Sequence, residues 1–150
     1  MARIRFAYIA STMIALGALF GVLLVRSHAT NTQGAVLIGE TRIPVSIADT
    51  LRTRAKGLSG TPSLELGTGK LFIFDRPDQY AFWMKDMQYP LDIVWVDSDW
   101  KVVDITYNAL PESYPSTFSP AIPAQYVLEL NAGEAVVDNI TIGAQLRFQN

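Results

Sequence analysis

The residues best equipped for chemistry gather between Phe82 and Asp92, where two aromatic side chains, two methionines, Lys85, Asp86, Tyr89 and Asp92 fall within eleven positions. An ammonium such as that of Lys85 can anchor an anion, or act as a base where desolvation lowers its pKa. Trp83 offers a flat apolar platform with one polar edge. Asp92, together with Glu129 further along the chain, supplies two carboxyl groups. Such a pair suffices for glycoside cleavage when held about 5 to 9.5 Å apart. The same segment also reads as ordinary structure, with Phe82 and Met84 filling a core, Trp83 and Lys85 on the opposite face, and residues 86–90 making a turn. The candidate ligand-binding residues are therefore Trp83, Lys85, Asp92 and Glu129, with no residue assigned a catalytic role.

Much other chemistry is excluded. The chain has no cysteine, so disulfides, thiolate nucleophiles and cysteine-ligated metals are absent. Its one histidine, His28, precedes the globular region, which removes a Ser-His-Asp triad or a histidine-ligated metal from the domain. Gly67-Thr68-Gly69-Lys70 lacks the first glycine of a phosphate-binding loop and reads as a turn. Asp97-Ser98-Asp99 lacks the glycine and the distal glutamate of a calcium loop. No cofactor and no metal are implied. The 12 basic and 14 acidic side chains give a net charge of −2, and setting aside Arg3, Arg5 and Arg26 leaves 9 against 14, or −5. A domain of that sign repels phosphate backbones, so no nucleic-acid partner is expected.

Those three arginines flank an uncharged run, Phe6 to Val25. At about 1.5 Å per residue, some 20 residues reach about 30 Å, the thickness of a bilayer core. The length favours a membrane anchor, whereas Ser27-His28-Ala29 fits the small-x-small pattern before a cleavage site. In both cases Arg3 and Arg5 favour an N-terminus inside, with the domain on the outer face of the cytoplasmic membrane, periplasmic or secreted. Residues 1–29 are thus read as anchor or signal peptide, 30–34 as linker and 35–150 as one globular domain.

Within that domain, Ala35–Ile38 and Ile43–Ile47 read as strands joined by a turn at Gly39-Glu40. Asp49 is a good helix N-cap, Leu51, Ala55 and Leu58 share a face expected to be buried, and Gly57 can end the helix. Arg52, Arg54 and Lys56 are expected to point away from that face. Lys70–Asp75, apolar on both faces, predicts a central strand, and residues 81–85 a further one. Leu91–Val96 and Lys101–Tyr107 predict a hairpin. Asn108–Pro123 holds four prolines and no periodic run, which predicts a long loop. Gln125–Leu130 and Gln145–Phe148 close the domain as strands, with a short helix in 132–139. The connections are mostly too short for helical crossovers, so the expectation is an α+β domain of mainly antiparallel strands, forming a small open barrel or sheet with short helices.

The order of Arg54-Ala55-Lys56-Gly57-Leu58, Lys70-Leu71-Phe72-Ile73-Phe74, Phe82-Trp83-Met84-Lys85, Pro90-Leu91-Asp92 with Asp97, and Tyr126-Val127-Leu128-Glu129-Leu130 with Ala132-Gly133 resembles domain-of-unknown-function family 192. The likeness runs from about Ile43 to Phe148. It implies a small antiparallel-rich α+β domain, often behind an export signal, without an established activity or cofactor, and it carries over no catalytic residue. The sequence departs from the family pattern at Ser59, where methionine is common, and lacks the cysteines many members carry near Glu112 to Ser119.

Three functions follow as expectations. The first is a binding or accessory module that holds a small polar or carbohydrate-like ligand, or a protein partner, in a groove around Trp83, Lys85 and Asp92 beneath the 108–123 loop. The second is a carboxylate-dependent hydrolase or transferase using Asp92 and Glu129. The third is a structural envelope protein, which requires a shallow surface with solvated charges.

Overall fold

The computed structural model describes residues 34–150. The apolar run Phe6–Val25, the Ser27–Ala29 pattern and most of the linker lie outside the described residues. Among the described residues no helix is long and apolar enough to cross a membrane.

Alternating and β-branched segments give nine strands: β1 (Gly34–Ile38), β2 (Thr41–Ala48), β3 (Gly69–Asp78), β4 (Phe82–Trp83), β5 (Leu91–Val96), β6 (Val102–Ala109), β7 (Thr117–Phe118), β8 (Ala124–Asn131) and β9 (Leu146–Gln149). Two short helices, α1 (Leu51–Lys56) and α2 (Glu134–Val137), join them. Seven strands form one sheet in the order β6-β5-β8-β3-β2-β1-β9, while β4 and β7 pair separately. All neighbours in the large sheet are antiparallel except β2 and β3, whose parallel pairing uses the one helical crossover, α1. The edge strands approach one another through the Lys101↔Gln145 bridge and the Val102-to-Ala144 and Leu146-to-Trp100 hydrogen bonds. The sheet thereby curls into a small open barrel, as the strand pattern predicts.

Strand periodicity then divides the apolar side chains into two layers. Val36, Val45, Leu71, Val94, Leu128, Leu130 and Leu146 fill the interior together with Ala135 and Ile140. Phe72, Ile93, Trp95 and Val127 face the other way and meet Leu58, Leu64 and Met84. The central position of β3 depends on Gly69, where a Cβ would stand 2.9 Å from Leu128 Cδ1 and 3.0 Å from the Glu129 carbonyl oxygen.

Three local expectations are corrected. The α1 N-cap is Thr50, not Asp49, because Thr50 and Thr53 exchange side-chain-to-backbone hydrogen bonds in a capping box. The helix buries none of its residues: Leu51 is 82% exposed and Ala55 is exposed, because α1 stands off the sheet across an open pocket. The 108–123 segment is more ordered than a loop, since β6 runs to Ala109, a 3-10 turn spans Pro111–Ser113, and β7 pairs with β4. It is also pinned by Gln79 Nε2, which donates to the Pro120 and Ala121 carbonyls, and by the Ala121 N–H, which donates to Asp104.

Candidate functional site

The outer face of the sheet is built by two central strands. On β3, Lys70, Phe72 and Phe74 share one side, and their β8 partners are Glu129 opposite Lys70 and Val127 opposite Phe72. On β5, Ile93 lies opposite Glu129. Glu129 therefore stands in the middle of an apolar face, flanked by one lysine and one isoleucine.

Above this face the chain supplies a lid of aromatics and a short cationic helix. Phe82 on β4 meets Phe72 edge-on at 4.8 Å and Trp95 at 5.2 Å, while Tyr80 stacks on Phe74 at 3.6 Å. Arg54 reaches back from α1, its Nη1 donating to the Asp49 and Ile73 carbonyls at 2.6 and 2.8 Å, with the guanidinium 5.2 Å from the Phe74 ring centre. The expectation that Arg54 points away is thus overturned, because two carbonyls at the end of β2 and on β3 need a donor there. The turn after α1 is tied to the turn after β4: Ser59 Oγ donates to the Lys85 carbonyl and the Gly60 N–H to the Asp86 carbonyl, each at 2.8 Å.

Between these parts lies a pocket of about 340 Å³. Its walls are Leu51, Ala55 and Leu58 from the α1 region, Phe72 and Phe74 from β3, and Tyr80, Phe82, Trp83 and Met87 around β4, with Glu129 at the sheet. Arg54 and Lys56 are the cationic residues of the lining. A mainly apolar concavity of this size, with five aromatic residues and a few polar groups, is typical of small-ligand sites.

Glu129 is its most unusual member. The side chain is buried, and Oε2 has no hydrogen-bond partner. Burial pushes its carboxyl up from 4.5 to about 8, against the opposing pull of Lys70. Lys70 in turn is lowered by burial and partly restored by Glu129, and its Nζ donates to Ser46 Oγ at 3.2 Å. The Tyr89 hydroxyl is raised, chiefly by burial, while it shares a 2.7 Å hydrogen bond with Thr61. Among the described residues the two buried side-chain atoms lacking a partner are Glu129 Oε2 and Trp95 Nε1. Both residues belong to this face of the sheet, since Trp95 and Ile93 alternate in step along β5.

The four sequence candidates separate. Trp83 lies at the mouth, 52% exposed, its ring 6.2 Å from Tyr114 of the 108–123 segment. Lys85 is exposed just outside, its Nζ 5.9 Å from the Trp83 ring centre. Glu129 lies within the pocket lining. Asp92 does not share the site: it pairs with Leu130 and so points to the opposite face from Glu129. There its Oδ1 accepts from the Asn108 N–H at 2.9 Å, and its Oδ2 from the Gly133 and Ala135 N–H groups at 2.8 and 3.1 Å. Carboxyls on opposite faces of a sheet cannot act on one bond, so the acid–base pair of Asp92 and Glu129 is overturned.

Phe72, Phe74, Tyr80, Phe82 and Arg54 line the pocket, although residue type and spacing point for them to core, to connecting chain or to solvent. The available signal was the pairing of an apolar helix stripe at Leu51 and Ala55 with phenylalanines at alternate positions 72 and 74, which is also how a filled core looks.

The profile of domain-of-unknown-function family 192, described as an uncharacterized ACR, matches residues 34–148. A crystal structure of a protein of unknown function from Novosphingobium aromaticivorans is similar, with 31% identity and a TM-score of 0.70 over 76% of this chain and 83% of that one. Another, of a protein described as a candidate transcription regulator from Sinorhizobium meliloti, shares 30% identity with a TM-score of 0.71, over 77% and 92%. No curated protein matches the chain.

Proposed function

Because the chain belongs to domain-of-unknown-function family 192, an uncharacterised family, we propose from the geometry of this face that it is a binding module holding a small, ring-shaped polar ligand of sugar size between α1 and β4. The observation that carries this reading is Glu129, a buried acid with an unbonded oxygen at a pocket walled largely by apolar side chains. A buried polar atom without a partner costs about 1–3 kcal/mol, a cost a ligand that supplies the partner removes. Trp83 and Phe82 supply flat faces on which a sugar or aromatic ring can lie. A concave site of this kind also speaks against the purely structural reading, which requires a shallow surface.

Binding is measurable as a thermal shift of the protein against monosaccharides, their acids and amines, and single-ring aromatics. A ligand at 100 times its Kd stabilises by about 2.7 kcal/mol. Trp83→Ala is expected to weaken any such ligand about two- to tenfold, since an aromatic stacking contact is worth about 0.5–1.5 kcal/mol beyond its buried area. An unchanged affinity in that variant would remove the ring from this wall.

A regulator of the kind the Sinorhizobium meliloti protein is described as would bring DNA to this surface. The described residues carry 9 basic and 14 acidic side chains, a net −5, which speaks against it. Arg3 and Arg5 before the uncharged run Phe6–Val25 instead support a module outside the cytoplasm, anchored through residues 6–25 or released after cleavage. In cells with a permeabilised outer envelope and an intact inner membrane, protease added from outside is expected to digest the domain. Full protection would place it in the cytoplasm.

A further inference from the structure

Resting on the pocket as a ligand site, the charges around it narrow the ligand further. Lys70 from β3, Ile93 from β5 and the Tyr89 hydroxyl from the segment before β5 stand nearest Glu129 in pairing or electrostatic reach. From α1, Arg54 and Lys56 line the pocket, and Lys85 lies outside over Trp83. Asp86 is exposed on the turn after β4, and Asp75 and Arg76 belong to the adjoining hollow beside Phe74 and Tyr80. Glu129 is therefore the one acid in the lining, opposed by two cations there and a third beside it on the sheet.

We propose that the pocket selects a small ring-bearing carboxylate: the ring lies against Phe82 and Trp83, an oxygen on the ring system bonds to the partnerless carboxyl end of Glu129, and the carboxylate meets Arg54 and Lys56. Nη1 of Arg54 is used by two carbonyls, but a guanidinium has five N–H donors, and Lys56, bonded to the Ser59 carbonyl, keeps two more. A cationic ligand would face these same groups with like charge. It would gain from Glu129 only after that carboxyl had lost its proton.

The proton on Glu129 couples affinity to pH. Burial holds the carboxyl neutral to about pH 8. Above that the donor is lost and a negative charge faces the ligand. The affinity for a carboxylate then falls, approaching tenfold per pH unit. Arginine stays protonated throughout this range.

The test uses the protein with two matched series, D-glucuronate, D-glucose and D-glucosamine, and 4-hydroxybenzoate, 4-hydroxybenzamide and tyramine, measured by NMR titration at pH 6, 7 and 9. Supporting results are at least about tenfold tighter binding of the carboxylate than of the amine in one series, and a weakening of about tenfold or more between pH 7 and pH 9. Glu129→Gln, which keeps an uncharged donor, should lose most of that pH dependence, and Lys56→Gln should shrink the preference for the carboxylate. Tighter binding of the amine, or an affinity flat with pH in the unaltered protein, overturns this inference and leaves the pocket standing as a ligand site. Failure of all six compounds to perturb Trp83 or its neighbours overturns both.

Discussion

Glu129→Gln is expected to stabilise the fold at pH 8 and to leave it nearly unchanged at pH 5. The carboxyl is raised by burial from 4.5 to about 8 in the folded protein. Between those values the unfolded chain has released the proton and the native state still holds it, so stability falls as pH rises, by about 1.4 kcal/mol per pH unit. The full penalty, on the order of 5 kcal/mol, is in place once pH passes the folded value, and it is absent below pH 4.5. Glutamine keeps the shape and a polar end but never ionises. Its advantage at pH 8 should be roughly 3 kcal/mol or more, on the order of 10 °C in Tm for a domain of this size. Near pH 5 the advantage should shrink to about 1 kcal/mol or less. Thermal melts of both proteins from pH 5 to 8.5 check this. Curves that stay parallel would show that Glu129 reaches solvent or a counter-charge when the protein is free of ligand. A protein that tolerates this cost on a sheet face otherwise rich in aromatic and aliphatic side chains is keeping stability below what its core could supply, the trade-off common where a site must be ready for something else.

Asp92 should behave in the opposite way. Asp92→Ala removes the acceptor for the Asn108, Gly133 and Ala135 N–H groups, which hold the end of β6 and the start of α2 to the central strand β5. An unsatisfied buried donor costs about 1–3 kcal/mol. Of the three donors Ala135 is buried, whereas Asn108 and Gly133 are exposed residues where water can take up part of the loss, so the alanine variant should lose about 3–4 kcal/mol, a large part of the 5–15 kcal/mol that typically holds a domain folded. Asp92→Asn retains one acceptor oxygen and turns an NH₂ toward a remaining N–H, so a loss of about 2–3 kcal/mol is expected. Urea unfolding should rank the proteins aspartate, asparagine, alanine, with similar m values. A loss below about 1 kcal/mol for the alanine variant would mean that the three N–H groups find other partners. The contrast between the two carboxyls follows from strand geometry: one residue of offset puts Asp92 among backbone donors and Glu129 among phenylalanines.

The barrel is largely legible in the sequence. Leu91–Val96 is a strand over the range its alternation predicts, Lys70–Asp75 lies within central β3, and Gly57 ends α1 with a positive φ of 49°. Such features are local: side-chain period, turn chemistry and the glycine stop each act within a few residues. The least legible segment was 108–123, because β7 exists only through its pairing with β4, some 35 positions earlier in the chain.

The site divides along the same line. By itself the sequence determined that no cysteine or domain histidine chemistry operates here, that the charge is unfavourable for nucleic acid, that the domain is mainly antiparallel, and that Trp83 and Glu129 are candidates. Only the tertiary structure decided that Glu129 and not Asp92 shares a face with Phe72 and Phe82, that α1 stands off the sheet with Leu51 uncovered, and that Arg54 turns inward. Residue type reports what a side chain can do. Which groups meet, and whether water reaches them, is set by strand register and by the closure of the sheet, and these depend on contacts between residues far apart in the chain.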